Sequence, residues 1–415
     1  MYRIYIDNLA WDDNGSLKPH HEQLLYMLGV DELTVLNPKL TIEVNKAGSL
    51  EFKMPYDHPF LEEVHELCTT VIVRRDDQTI WKGRITKIDR DFYRNANIYA
   101  EGALSFLNDT LVPSYSYTNG VSVKTLFELF ITKHAEQASS GRKIELITKL
   151  PDFTEFCDVT AVSWEIEHYP ELVGPDADHP IDPNQTNIKK AENKSYPQTL
   201  EEITSVLVDE YGGYLYLTYG ANDTYYIGYY QKYGGLTEHR SKQKIMFGVN
   251  LLDYSESVSA EDLFTRFRPV GGSDLVISTN DGFLENQMAI RQFGKISRTE
   301  TWSDIESVDE LTRKGRKHLL EGSRLSQTIA IKAVDLHILN PDIEDEIELG
   351  DKVGVFSAPH NVNREYICSQ ITIDLQDPSN TEYIFGDVYS SLTGTSLSGN
   401  ATSVELSSQA ENATF

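Results

Sequence analysis

Cysteine, long apolar runs and a leader-like amino terminus are all lacking in this sequence. Its three cysteines, Cys68, Cys157 and Cys368, lie far apart and form no CxxC pair, which argues against a disulfide framework or a zinc finger. No run reaches the ~18 apolar residues that a membrane-spanning helix needs, so we expect no membrane insertion by this chain. Residues 1–7 lack a basic segment followed by an apolar one. We therefore expect that the chain has no signal peptide and that it is assembled in a cytoplasm.

Basic residues are also scarce. The chain has 37 Lys and Arg against 64 Asp and Glu, a formal net charge of −27. Specific recognition of nucleic acid depends on basic patches that displace counterions from phosphate, and this balance opposes it. The simplest interpretation of the acidic excess is solubility through self-repulsion.

Catalytic and metal-binding patterns are missing as well. The sequence has no GxSxG nucleophile elbow, and Gly271-Gly272-Ser273 indicates a turn because no GxxxxGK[ST] phosphate loop surrounds it. His65 and Cys68 could share one helix face, but two ligands do not make a metal site. The remaining candidates are isolated residues or members of solvated acidic runs: His20 and His21, Cys157, Glu165 and Glu167, and Asp342, Glu344 and Asp345. We assign no catalytic, cofactor-binding or metal-binding residue, and we predict that the chain is not an enzyme.

Strand patterns dominate residues 1–112. The 415 residues exceed one ordinary core and predict two to four domains, and 23 Tyr with 16 Phe favour strands. Residues 39–44 and 49–54 alternate between apolar and polar on either side of a turn, which predicts a hairpin. Strands over 79–88 and 98–103 extend the pattern. This succession predicts a small β-barrel, because a barrel hides its strand edges, and we expect residues 245–300 to complete it.

Residues 113–244 combine helix and strand signals. Ser122 can cap a helix over 123–137, and a capping box that starts at Thr199 predicts a second helix, which Gly212-Gly213 ends. Tyrosine-rich strands follow at 214–219 and 224–230. These patterns predict an α/β middle domain. Within it, residues 164–197 are rich in Pro, Asp and Asn, and we interpret them as a long surface loop.

The carboxy-terminal third returns to strand patterns after one helix. A capping box at Ser307 predicts a helix within the segment 301–325. Strands are predicted at 328–335, 351–356, 365–374 and 382–385. These strands predict a second β-barrel over 326–389. The Ser- and Thr-rich residues 390–415 predict a flexible tail. The fold class is therefore mainly β with α+β parts: two small barrels, an α/β middle domain and a helical segment.

Four stretches, in this order, make the chain similar to a known family. They are Lys39-Leu40-Thr41 with Gly48-Ser49-Leu50-Glu51-Phe52 to Pro55 and His58-Pro59; Trp81-Lys82-Gly83-Arg84-Ile85 with Tyr99-Ala100-Glu101-Gly102 and Phe106-Leu107-Asn108-Asp109; Leu126 to His134 with Gly212-Gly213-Tyr214-Leu215; and Val334-Asp335-Leu336-His337 with Ile347-Glu348-Leu349-Gly350-Asp351-Lys352-Val353 and Leu375 to Gly386. Together they span residues 1–387. The chain resembles the hub proteins of phage tails, which include the amino-terminal part of tail-associated lysins (prophage endopeptidase tail proteins) and the hubs of contractile tails.

The resemblance implies a structural baseplate or tail-tip hub at the distal end of the virion tail. It implies a homotrimer whose two barrels per chain are related to the tail-tube fold, with no cofactor. The implied partners are the distal tail protein, the tail tube or tape-measure proteins, receptor-binding or fibre proteins, and DNA that passes without specific binding. Such a hub joins the tube and the distal ring to the fibres and guides or closes the DNA channel. The similarity is nearer to the lysin-associated hubs and favours a long-tailed, non-contractile phage.

Two barrels in each of three chains would present six equivalent edges, so a trimer could close against a six-fold tube ring. The sequence departs from the family in two respects. The loop 164–197 is longer than usual, and we expect no peptidase or muramidase domain in residues 390–415. The lytic activity of relatives is therefore not carried over.

Two further hypotheses remain open at this stage. A cell-wall glycan-binding or peptidoglycan-degrading tail enzyme is the alternative function, with an aromatic platform formed by Tyr225, Tyr226, Tyr229, Tyr230 and Tyr233. The simpler interpretation is that alternating tyrosines fill both faces of a strand pair. Separately, carboxylates concentrated toward the axis of a trimer would repel DNA, which carries about one charge per ~1.7 Å of its axis, and would prevent it from sticking.

Overall fold

The computed structural model describes most of the chain: residues 1–10, 18, 21–117, 121–147, 187–188, 191–209, 212–220, 224–230, 240–278, 280–303, 305–338 and 346–386. Several residues weighed above lie outside the described residues: His20, Cys157, Glu165, Glu167, Tyr233, Asp342, Glu344, Asp345 and the 390–415 tail. The chain divides into two compact units. The first comprises Met1–Phe153, Asn187–Tyr254 and Ala330–Phe385, and the described part of the second is Ser255–Ile329.

Strands are the most abundant secondary structure of the described chain, which confirms the predicted mainly β fold. The strands are β1 Tyr2–Asn8, β2 Gln23–Met27, β3 Leu36–Glu43, β4 Ser49–Met54, β5 Thr69–Arg75, β6 Gln78–Arg90, β7 Ala96–Gly102, β8 Tyr115–Tyr117, β9 Val121–Ser122, β10 Ile144–Leu146, β11 Asn187–Ile188, β12 Ala191–Asn193, β13 Tyr214–Tyr219, β14 Tyr225–Tyr230, β15 Arg240–Met246, β16 Leu251–Ser259, β17 Arg266–Gly271, β18 Leu284–Glu285, β19 Ser297–Trp302, β20 Ser326–Ala333, β21 Lys352–Ser357, β22 Val362–Asp374 and β23 Glu382–Gly386. The helices are α1 Val123–Gln137, α2 Thr199–Ile203, α3 Gln287–Phe293 and α4 Val308–Gly322. None of the helices described is long and apolar enough to cross a membrane.

One large sheet organises the chain. Its strand order is β16-β20-β23-β22-β3-β4-β7-β6-β5-β1-β2, and β21 joins β15 to β22 beside this path. The predicted hairpin of β3 and β4 is confirmed, since the two strands pair antiparallel. β22 pairs antiparallel with β3 from Gln370 opposite Glu43 to Asp374 opposite Lys39. Strands of the two predicted barrels thus belong to a single sheet, and their division into two separate barrels stays a prediction.

The packing of a tryptophan against glycines explains why glycine occurs at several positions near Trp81. Gly83 on β6 pairs with Gly102 on β7, and the Gly102 amide donates to the carbonyl of Gly48 at 3.1 Å. A Cβ atom on Gly102 would lie 3.0 Å from the Trp81 indole nitrogen, and one on Gly48 would lie 3.4 Å from it. Trp81 is 2% exposed. The indole and the backbone carbonyl oxygens of Ala47 and Thr41 together leave no room for side chains at these glycines.

The helix α1 begins where the sequence predicts it. The Ser122 side chain accepts a hydrogen bond from the amide of Thr125, which satisfies one of the free amides of the first turn. The buried face of α1 meets β14 at Phe127 and Tyr229, whose ring centroids lie 5.4 Å apart. β14 pairs parallel with β10 and antiparallel with β13, so helix and small sheet form the α/β arrangement expected for the middle of the chain.

One local prediction in the middle region is wrong. Thr199 is not an N-cap but the first residue of α2, and its buried hydroxyl donates to the carbonyl of Thr110 at 3.2 Å instead. The long loop 164–197 stays a prediction, and the described residues near its end form strands, since β11 pairs with β9 and β12 pairs with β8. These strands are only two or three residues long. Such short runs carry no periodicity that a sequence could reveal.

A buried histidine ties α1 to the surrounding segments. His134 is fully buried, its Nε2 accepts from the amide of Ile144 at 3.2 Å, and its Nδ1 lies 2.8 Å from the hydroxyl of Thr110. Because Nε2 accepts, the ring proton is on Nδ1 and is donated to Thr110. Burial lowers the pKa of His134 to about 4, so the ring is neutral at pH 7.

An arginine on the sheet holds the segment that follows β7. Arg84, on β6, donates two hydrogen bonds to the carboxylate of Asp109, at 2.5 and 2.9 Å. Arg142 approaches the same carboxylate at 3.8 Å. Burial and the neighbouring Arg84 lower the pKa of Arg142. One carboxylate thus stabilises two nearby cations where the large sheet meets the middle region.

The second unit has its own small core. β17 pairs antiparallel with β18 and parallel with β19. Phe264, Phe267, Leu319 and Leu320 form a buried cluster against α4. α4 confirms the helix predicted after Ser307, although the Ser307 side chain makes no capping hydrogen bond. The Arg266 Nε donates to Glu285 at 2.5 Å across the β17–β18 pair.

Candidate interaction surfaces

A serine and a histidine meet in the carboxy-terminal part of the sheet. The Ser357 hydroxyl lies 2.6 Å from Nδ1 of His360, a pairing that nucleophilic hydrolases use. Ser357 is only 1% exposed, so its hydroxyl cannot reach a substrate. The hydrogen bond spans three residues of one 3-10 turn, Ala358–His360. Its effect is to orient the His360 ring.

The residues weighed as metal ligands do not gather. Cys68 is exposed and Cys368 is buried. Burial raises the pKa of the Cys368 thiol well above its usual value. Within the described residues, no group of three or more His, Cys, Asp and Glu side chains could hold a metal ion.

The tyrosine-rich strand β14 packs inward on one side. Tyr225 and Tyr229 are fully buried, and Tyr225 packs edge-on against Phe106 with a centroid distance of 5.3 Å. Tyr226 and Tyr230 lie on the other face and are partly exposed. A platform needs several rings on one accessible face, and two of the five candidates do not reach it. The observed arrangement agrees with tyrosines that fill both faces of a strand pair.

An apolar turn between β15 and β16 is exposed to solvent. We call residues 246–252 the apolar turn. Its exposed side chains are Met246 at 36%, Phe247 at 55%, Val249 at 60% and Leu252 at 55%. Scattered exposed apolar residues are ordinary, but four within seven positions of one turn are a concentration typical of an interaction site.

The apolar turn is held in one conformation by a buried side chain. The Asn250 side-chain oxygen accepts from the amide of Met246 at 2.8 Å, and its nitrogen donates to the carbonyls of Lys244 and Val334 at 3.1 and 3.3 Å. His360 supports the turn from beside it, since its ring lies 5.9 Å from that of Phe247. A rigid turn loses little entropy when a partner covers it, which favours binding.

Basic residues line the strand that leads into the apolar turn. Arg240, Lys242 and Lys244 are exposed, whereas Gln243 and Ile245, which point to the other side of the strand, are buried. We call these three cations the basic strand face. Arg240 forms an ion pair with Glu365 at 3.1 Å, so the basic character of this face comes mainly from Lys242 and Lys244.

A second surface has the opposite charge. We call residues 55–67, between β4 and β5, the acidic loop. Its exposed side chains are Asp57, Glu62, Glu63, Glu66, His65, Pro59, Tyr56 and Leu67. The two apolar ones, Tyr56 and Leu67, are 62% and 50% exposed. The loop therefore offers an acidic surface with apolar groups in it.

Hydrogen bonds hold the acidic loop on the sheet. The Nε2 atom of the buried His58 lies 3.1 Å from the carbonyl of Leu25, and the Asn8 side chain donates to the carbonyl of Glu63 at 3.0 Å. The Leu67 amide donates to Ile85 at 2.7 Å. Burial lowers the pKa of His58, so its ring favours the neutral form. Like the apolar turn, this loop is fixed before any partner arrives.

An aromatic hairpin tip joins β6 to β7. Phe92 and Tyr93 are 93% and 74% exposed, and their rings meet edge-on at 5.3 Å. The Asp91 carboxylate accepts from Lys53 at 2.7 Å and from the amide of Tyr93 at 2.9 Å. The hydrogen bond from Lys53 is the main cause that lowers the pKa of Asp91 to about 2. The hydrogen bonds of Asp91 therefore hold the hairpin tip, and its two aromatic rings are exposed on a fixed turn, as the side chains of the apolar turn are.

Sequence reasoning missed all of these surfaces. The apolar turn fell inside the expected 245–300 completion of a barrel, where hydrophobic residues indicate a core. Whether a Phe or a Val faces the core or the solvent depends on tertiary packing. One signal was available, since Gly248 with Asn250 marks a turn, and apolar residues inside a turn are unusual.

Comparison with known protein families supplies the missing context. Residues 239–395 match the family model described as prophage endopeptidase tail. The match includes the basic strand face and the apolar turn, and it confirms the resemblance found in the sequence. Among curated proteins, no relative matches.

Three solved structures with the same fold are tail proteins, and two of them are described as prophage proteins. The 43 kDa tail protein of prophage MuSo2 from Shewanella oneidensis is 9% identical, with a TM-score of 0.55 over 92% of this chain and 97% of its own. A tail protein from Neisseria meningitidis is 11% identical, with a TM-score of 0.55 over 94% and 98%. Prophage tail protein gp18 from Listeria monocytogenes is 12% identical, with a TM-score of 0.50 over 97% and 99%. The TM-scores and the coverage establish a shared fold. With the prophage endopeptidase tail match, they support a phage tail protein of prophage origin.

Proposed function

We propose that this chain is the structural hub at the tip of a phage tail and works as a homotrimer. It would join the tail tube and distal ring to receptor-binding or fibre parts and guide or close the DNA channel. Its partners would be the distal tail protein, the tube or tape-measure proteins, and DNA that passes without specific binding. The long-tailed, non-contractile type fits best, because the sequence is more similar to the lysin-associated hubs.

One observation carries the proposal. Within the family match at residues 239–395, a buried asparagine fixes an apolar turn whose side chains face solvent in the single chain. A soluble protein gains nothing from holding Phe247 and Val249 rigidly in water, whereas a subunit of an assembly buries them at a contact. Mechanical assembly needs such contacts, and it needs no catalytic residue. The non-enzymatic role is part of this proposal.

The acidic excess supports the channel part of the proposal. The net charge of −27 would repel DNA from a wall formed by these chains and keep it moving. The small number of exposed basic positions on β15 does not reverse this balance.

The mass of the purified chain in solution tests the trimer. Light scattering coupled to gel filtration should give three times the 47.1 kDa of one chain, because the apolar turn would otherwise face water. Repeating the measurement over a series of dilutions separates a specific assembly, whose mass reaches a plateau, from aggregation. A mass of one chain at every concentration, or a plateau at two or four chains, would contradict the homotrimer.

A further inference from the structure

We propose that the apolar turn and the basic strand face of one chain dock on the acidic loop of a second copy of this chain. This inference rests on the proposed function, because it assigns the contact that would close the trimer. The first surface is basic with apolar groups, and the second is acidic with apolar groups. Each therefore supplies the charge and the burial that the other requires.

The two surfaces are separate places on the same unit. The basic strand face lies on β15, which pairs with β21 from Arg240 opposite Lys352 to Met246 opposite Phe356. The acidic loop is fixed on β1 and β2 through Asn8 and Leu25. A closed ring of identical chains uses a heterologous contact, in which two different surfaces of each copy meet. A complementary pair on one chain is what such a ring requires.

Apolar groups stand on both sides of the proposed contact. Phe247, Val249 and Leu252 would face Tyr56 and Leu67, all at least half exposed in the single chain. Covering these side chains supplies the favourable free energy of association, since removing apolar area from water contributes roughly 25 cal/mol per Å². The charges around them would set the register and the choice of partner.

A copy of the chain fits the basic strand face better than DNA does. Lys242 and Lys244, on one strand of a protein with net charge −27, attract a local acidic surface, while the whole molecule is still repelled by a polyanion. The apolar turn beside the cations also favours a protein partner, because a phosphate backbone has no apolar surface that could bury Phe247 and Val249. The acidic loop offers both negative charge and apolar side chains.

Charge reversal on each surface tests the contact. In the first variant, Lys242→Glu and Lys244→Glu make the strand face acidic; in the second, Glu63→Lys and Glu66→Lys make the loop basic. Each should raise the dissociation constant of the assembly at least about a hundredfold, because like charges then face each other. The fourfold variant that carries both reversals restores opposite charges and should return to within about tenfold of the unaltered chain. Mass photometry over a dilution series measures all of these constants.

Control variants separate this contact from a general effect of charge. Lys133→Glu with Lys143→Glu changes the net charge by the same amount on α1 and beside β10, and it should leave the assembly intact. Circular dichroism of every variant should match the unaltered chain, and recovery in the fourfold variant itself shows that the reversed chains fold.

The possible outcomes bear on the two proposals separately. If the unaltered chain forms a trimer and either reversal leaves it intact, or the fourfold variant fails to recover, the assigned contact is wrong while the trimer stands. If the unaltered chain is a single chain, both proposals fall. If Lys242→Glu with Lys244→Glu abolishes binding of a short DNA duplex but not the trimer, the basic strand face is a DNA contact and this inference is overturned.

Discussion

Replacing Gly102 by alanine should lower the free energy of unfolding by about 3 kcal/mol, the upper part of the range for overpacking a closed core. The added methyl group would overlap the carbonyl oxygen of Ala47 and lie 3.0 Å from the Trp81 indole nitrogen. The oxygen belongs to the backbone, so no side-chain rotation can relieve the overlap. β7 would have to move away from the turn before β4, and the hydrogen bond from Gly102 to Gly48 would lengthen. Urea denaturation followed by circular dichroism measures the loss.

A second glycine provides the matched control. Gly29 has φ of +86°, and nothing lies within 4 Å of a Cβ added there. Gly29→Ala should therefore cost only the strain of the left-handed backbone, about 1 kcal/mol. If Gly102→Ala were no more destabilising than Gly29→Ala, the close approach of β7 to the Ala47 carbonyl and the Trp81 indole would not be what positions this strand.

Replacing Asp109 by alanine should cost about 3 kcal/mol, because it leaves Arg84 without its carboxylate and beside another cation. Arg84 is 7% exposed, and its two hydrogen bonds to Asp109 are both lost. Arg142 would then face Arg84 with no negative charge between them. The measurement is again the midpoint of urea unfolding, converted to a free energy with the slope of the transition.

A double variant identifies the unpaired charge as the cause. Arg84→Met with Asp109→Ala removes both partners, so the buried side chain is apolar and most of the loss should be recovered. A double variant as unstable as Asp109→Ala alone would mean that the damage comes from lost packing around Asp109 rather than from a stranded cation.

Much of the fold could be predicted from local patterns. The hairpin of β3 and β4, the helix α1 with its Ser122 cap, and the paired strands β13 and β14 all follow from alternation, capping and turn residues. Each of these signals involves neighbours in sequence. The Thr199 prediction was wrong because a distant partner, Thr110, competes for the hydroxyl that a capping box would use.

Local sequence patterns do not predict which strands pair when they are far apart in the chain. Nothing in residues 39–43 indicates that they pair with residues 370–374, so the single sheet that runs through both predicted barrels could not be anticipated. The same limit applies to the interaction surfaces. The apolar turn has the composition of a core strand, and only the hydrogen bonds of Asn250 with Val334 show that it is held outward.

The structure links stability to the proposed function through rigidity. β6 carries both Trp81, which fixes the neighbouring strands, and Arg84, which holds the segment after β7. A hub transmits load between a tube and fibres, so its interaction surfaces must keep their positions. The acidic loop and the aromatic tip both rest on this part of the sheet, through Ile85 and Asp91.

The position of the chain in an imaged phage particle tests the central claim most directly. In averaged electron micrographs of tails that carry a labelled copy of this chain, the label should lie at the end farthest from the head. It should form one layer with three-fold symmetry directly below the six-fold tube. Label distributed along the tube, label at the head-proximal end, or a terminal ring of six copies would contradict the account.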